Sequence, residues 1–212
     1  GLATCGKIPF ASTFAIFATG RAFEQVRNSI AYPKLNVKIA ATHAGITVGE
    51  DGASHQAVED IALMRAVPNM TVLVPADGEE TRQAVFAAAQ YEGPVYIRMG
   101  RLDVPCLFDQ NYKFTIGKAN VLREGSDCVI FANGVMVSTA LEAAQELEEE
   151  GLKVAVVNVA SVKPLDEETI VAYAQKTGAV VTAEEHNIIG GLGSAVAEVL
   201  GEKAPTPLVR VG

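Results

Sequence analysis

Short apolar runs alternate with amphipathic stretches along most of the chain. Residues 37–41 and 71–74 read as buried strands. Between them Val58, Ile61, Ala62 and Arg65 recur at helical spacing. Asp77 then offers an N-cap for a helix over 78–91, with Glu79 and Glu80 in its first turn. Residues 94–99 form the next strand. The later half repeats the alternation. Strands are predicted over 127–132, 153–159, 179–183 and 208–211, with helices over 137–150, 167–176 and 194–200. At the start, residues 6–9 mark a turn. From Ser12 a helix is expected, with Phe14 and Phe17 on one face. Periodicity fades between Leu102 and Gly125, leaving short extended pieces at 114–116 and 119–122. The pattern predicts an α/β protein of two doubly wound domains. A mostly parallel sheet occupies 1–106, and a smaller mixed α/β domain occupies 112–212.

The first of the internal strands ends at Thr42-His43. A glycine-punctuated loop follows, carrying Glu50, Asp51, Ser54 and His55. In open parallel sheets ligands bind at the carboxyl ends of strands, so two histidines and two carboxylates there mark a candidate site. Each also has an ordinary reading. Asp51-Gly52 is a turn signal, Ser54 an N-cap candidate, and Phe14 and Phe17 are core candidates. Arg101, at the end of the 94–99 strand, is either a surface partner of Asp103 or a fork for phosphate oxygens.

Composition narrows the classes. Of 212 residues, 49% are hydrophobic and only 6% aromatic, and the formal net charge is −8. That balance argues against nucleic acid or an anionic membrane as general partners. No apolar stretch approaches the roughly 20 residues that span a bilayer, and the first residues lack a signal-peptide pattern. Three scattered cysteines fit neither a disulfide framework nor a zinc site, which suits a cytoplasmic setting. GGLGSA at 190–195 lacks the G-x-G-x-x-G spacing of a dinucleotide site.

The loop THAGITVGEDGASHQ closely resembles the cofactor- and substrate-facing loop of transketolases, and the likeness continues on both sides. The resemblance implies the C-terminal portion of such an enzyme: a pyrimidine-binding domain without its N-terminal part, then a transketolase C-terminal domain. It implies thiamine diphosphate as cofactor, with Phe14 and Phe17 against the aminopyrimidine. It also implies His43 and His55 as catalytic groups, Asp51 on a sugar hydroxyl and Arg101 on the phosphate of phosphorylated sugars. The C-terminal domain contributes no main catalytic group. Magnesium or calcium, with the diphosphate, belongs to a domain with a GDG-type motif outside this sequence. The activating glutamate is expected just upstream of Gly1. The expected partners are an N-terminal transketolase half or subunit and a second copy in a homodimer. Alone the chain is expected to be inactive. The corresponding part of a deoxyxylulose-5-phosphate synthase or of a 2-oxoacid dehydrogenase beta subunit is the nearest alternative, and a noncatalytic docking module the alternative of another class.

Overall fold

The computed structural model describes residues 1–212 as two five-stranded sheets with helices packed on them. The first sheet takes β1 (Phe10–Phe14), β2 (Lys38–Thr42), β3 (Thr71–Leu73) and β4 (Val95–Arg98) in the order β1-β2-β4-β3, all parallel. Helix α1 (Asp60–Ala66) lays Ile61 and Met64 on this sheet beside Val72 and Tyr96. Helix α2 (Gly78–Gln90) starts where Asp77 accepts from the Glu80 amide, and it buries Ala84 and Ala88 against Leu73, Val95 and Ile97. Alanines on the inner helix face let the helix lie close to a sheet rich in branched side chains.

The second sheet is built from β5 (Asn120–Arg123), β6 (Cys128–Ala132) and β7 (Val154–Asn158), with β9 (Val180–Ala183) and β10 (Leu208–Val211). Its order is β10-β9-β6-β7-β5, parallel except for β5. Helices α3 (Met136–Glu149), α4 (Glu167–Thr177) and α5 (Leu192–Lys203) cover it. Gly178, with φ 70°, closes α4 in the left-handed conformation a C-terminal glycine supplies. By strand count this sheet equals the first.

The two sheets are not separated at the connection between them. Strand β8 (Ser161–Lys163) leaves the second half of the chain and pairs antiparallel with β3, completing the first sheet. Lys163 Nζ then donates to the Arg65 and Val67 carbonyls at the end of α1. The connection itself is anchored by Glu80, whose carboxylate accepts from Tyr112 Oη, Asn158 Nδ2 and the Ala76 amide.

Four local expectations change. Residues 12–14 are strand rather than helix, because Ser12 and Phe14 pair in register with Ala40 and Thr42, and tertiary pairing overrides the local cap signal. The chain coils only afterwards, as wide π-type turns over Phe17–Arg21 and Gln25–Ala31. Ser54 caps nothing: α1 begins at Asp60, and the Ser54 hydroxyl meets His55 instead. Residues 114–116 form no strand, and β8 stands where no strand was expected.

Candidate active site

Strands β1 and β2 end side by side, with Phe14 opposite Thr42. The next residue, His43, has φ 60°, a left-handed conformation that is uncommon for a residue with a side chain. The turn sets its ring on Phe14, with centroids 3.9 Å apart and planes within 11°. His55 returns from the loop edge-on to both phenylalanines, 5.9 Å from Phe14 and 5.3 Å from Phe17. Phe14 and Phe17 are nearly parallel, 4° apart in plane and 5.9 Å between centroids. The Arg21 guanidinium covers the Phe17 ring at 4.5 Å. Four of the six expected site residues thus form one cluster. In each histidine Nδ1 is held by the preceding hydroxyl, Thr42 Oγ1 at 2.8 Å and Ser54 Oγ at 2.9 Å. The Nε2 atoms have no protein hydrogen bond.

Asp51, on the same loop, and Arg101, just beyond β4, form a second group. Arg101 Nη1 donates to the Val48 carbonyl at 2.6 Å, and Nη2 to Glu50 Oε1 at 3.1 Å, with Asp51 Oδ2 at 3.9 Å from Nη1. The guanidinium therefore fastens the loop and pairs with Glu50 and Asp51, not Asp103. Glu50 is exposed, so an incoming anion can displace it from Nη2 while the Val48 bond persists.

A third group was not picked out as functional in the sequence. Buried Arg98, the last residue of β4, makes a two-pronged pair with Asp60 at 2.7 and 3.2 Å, and Tyr96 Oη donates to the same carboxylate at 2.7 Å. Burial opposes the Arg98 charge, but the Asp60 carboxylate, with Tyr96 and Glu185 behind it, holds the guanidinium above its usual value. Burial and the same carboxylate push the Tyr96 phenol well up. From the second sheet, Glu184, Glu185 and His186 follow β9 and are all buried. Glu184 accepts from the Leu192 and Gly193 amides at the start of α5. Burial nonetheless raises its pKa against those two bonds. His186 Nε2 lies 3.3 Å from the Ala62 amide and so accepts from it, leaving Nδ1 to donate to the Asn187 carbonyl.

The aromatic corner suits a flat heteroaromatic ring. Phe14 and Phe17 are half-buried and offer ring surface, and two imidazole nitrogens stand free beside them. No three His, Cys, Asp or Glu side chains converge here as a metal set. The corner thus fits the ring portion of thiamine diphosphate.

Residues 1–105 match the family model described as transketolase, pyrimidine binding domain, and residues 117–212 match transketolase, C-terminal domain. A putative transketolase C-terminal section from Methanocaldococcus jannaschii is 52% identical over all of this chain and 67% of its own length. A 6-deoxy-6-sulfo-D-fructose transketolase subunit from Clostridium sp. is 50% identical over all of this chain and 66% of its own. Among solved structures, one described as a split gene transketolase, inactive beta4 tetramer, is 62% identical, with a TM-score of 0.94 over 99% of this chain and 67% of that one. The chain spans about two thirds of the length of these relatives. It belongs to the transketolase family and corresponds to the pyrimidine-binding and C-terminal domains of that family.

Proposed function

We propose that this chain is the catalytic-loop-bearing part of a thiamine-diphosphate-dependent transketolase that moves a two-carbon ketol unit from a ketose phosphate to an aldose phosphate. The observation that carries the reading is the cluster of Phe14, Phe17, His43 and His55 at the carboxyl ends of β1 and β2. Bound thiamine diphosphate would supply the electron sink for breaking the bond beside the ketose carbonyl. Phe14 and Phe17 would hold its aminopyrimidine ring. His43 and His55 would exchange protons with substrate hydroxyl and carbonyl oxygens through Nε2, because hydroxyl partners already fix each Nδ1. Asp51 would accept a hydrogen bond from a sugar hydroxyl. Arg101 would take the substrate phosphate at Nη2 in place of Glu50.

The diphosphate and its magnesium or calcium would be held by an N-terminal portion, supplied by a partner subunit or by further chain. That the relatives are a C-terminal section and a split-gene product supports that reading. The words inactive beta4 tetramer, said of the solved relative, support two further parts of it: self-association, and no turnover by residues 1–212 alone. A cytoplasmic setting fits the cysteine pattern, and no helix is long and apolar enough to cross a membrane.

The test is ketol transfer by the chain combined with the N-terminal portion, thiamine diphosphate and magnesium. His43→Ala and His55→Ala should each lower turnover by roughly 10²-fold or more, the usual worth of a positioned proton donor or acceptor. Full turnover by both variants would remove the proposed roles. Pyruvate as the preferred donor would instead favour the deoxyxylulose-5-phosphate synthase alternative.

A further inference from the structure

The loop between β2 and α1 is held at both ends by residues from the second sheet. At its start, the Thr47 amide donates to Glu185 Oε1 at 2.7 Å. At its end, the Val58 carbonyl accepts from the Asn187 amide at 2.9 Å and from Asn187 Nδ2 at 3.0 Å. Arg98 ties the two together, with Nη2 donating to the Glu185 carbonyl at 2.8 Å and to the Ala57 carbonyl at 3.2 Å. The loop closes on itself through the Gly45 amide, which donates to the Ala57 carbonyl at 2.8 Å, the Ala44–Ala57 bridge, and Gln56 Nε2, which donates to the Ile46 carbonyl at 3.1 Å.

Gly45 shows how closely Glu185 approaches. A Cβ on Gly45 would lie 2.2 Å from the Glu185 carboxyl carbon and 2.3 and 2.4 Å from its oxygens. Gly45 also has φ 85°, in the region that favours glycine. A glycine at the mouth of the loop and a buried glutamate in the other domain are therefore one feature, a carboxylate seated on bare backbone.

We infer that Glu185 is a positioning residue of the active site, through which the C-terminal domain sets the loop that carries His43, Asp51 and His55. It touches neither the histidine–phenylalanine cluster nor Arg101. It acts by fixing Gly45 and Thr47, which lie between His43 and the Arg101-bound turn at Val48. The kinetic part of this inference rests on the proposed transketolase reading, whereas the structural part does not.

Two variants test it in the full chain. Glu185→Ala removes the acceptor, and Glu185→Gln keeps a carbonyl oxygen for the Thr47 amide. Hydrogen exchange of Glu185→Ala should quicken at residues 44–57 by roughly ten- to hundredfold, the worth of one hydrogen bond to a charged acceptor. Exchange in β6 and β7 should stay as in the parent, and Glu185→Gln should restore most of the protection. Unchanged exchange at 44–57, or equal quickening throughout both sheets, would overturn the inference. In the assembled enzyme, Glu185→Ala should lower kcat by about tenfold or more, the low end of the same range, with Glu185→Gln close to the parent. If the parent assembly shows no ketol transfer, the functional reading fails while the exchange result still decides the role of Glu185.

Discussion

The Arg98–Asp60 pair should dominate the stability of the first sheet. Both side chains are buried, at 5% and 0% exposure, under the start of α1. Asp60→Ala would leave the guanidinium with only the Ala57 and Glu185 carbonyls, and Tyr96 Oη without its acceptor. Breaking a buried pair by removing one partner costs about 3–5 kcal/mol, because the other charge stays dehydrated. For a chain of this size each kcal/mol lowers Tm by roughly 2–4 °C, so a fall of about 6–20 °C is expected. Replacing the pair together, as Asp60→Leu with Arg98→Met, should cost much less, since the stranded charge is gone. Thermal unfolding followed by circular dichroism reads both variants. A fall under about 2 °C for Asp60→Ala, or a double variant no better than the single one, would refute the reasoning.

Two further outcomes follow from particular contacts. Lys38 is buried at the amino end of β2, its Nζ donating to the Tyr91 and Gly93 carbonyls. Burial lowers its pKa from 10.5 to about 8. Between those values the unfolded chain keeps a proton that the folded chain sheds, so this residue's contribution to stability rises with pH across that window. Urea midpoints at pH 8 and 10.5 should show that rise in the parent and lose it in Lys38→Met, and equal slopes would contradict it. In the assembled enzyme Arg101→Ala should raise KM for phosphorylated sugars by roughly ten- to hundredfold, the worth of a charged hydrogen bond. The rise should be smaller for unphosphorylated analogues; equal rises for both would remove the phosphate role.

Elements that bury an amphipathic face against their own sheet were legible in the sequence. Helices α3 and α4 and strand β10 stand where periodicity and caps placed them. Elements whose partners lie far away were not. Edge strand β1 has an exposed, unremarkable pattern and is set by pairing with β2. Strand β8 is three residues long and owes its extended form to pairing with β3 in the first sheet, far back in the chain. The site followed the same division. His43 and His55 were singled out by the strand end, the polar loop after it and the resemblance that loop carries, and the structure brings both rings to Phe14. The parallel rings of Phe14 and Phe17 come from a strand followed by a π-type turn, not from the helical face expected. The hold of Glu185 on Thr47 spans 138 positions and leaves no local trace beyond a charged tripeptide after β9.

The most direct measurement of the central claim is ketol transfer from a ketose phosphate to an aldose phosphate, with thiamine diphosphate and magnesium present throughout. The 212-residue chain is assayed first alone, and then joined to the upstream segment expected to carry the activating glutamate and combined with the N-terminal half of a split transketolase. The account predicts no turnover alone, turnover on combination, and its loss in the combined His43→Ala and His55→Ala variants. Robust turnover by the 212 residues alone, or none from the combination, would contradict it.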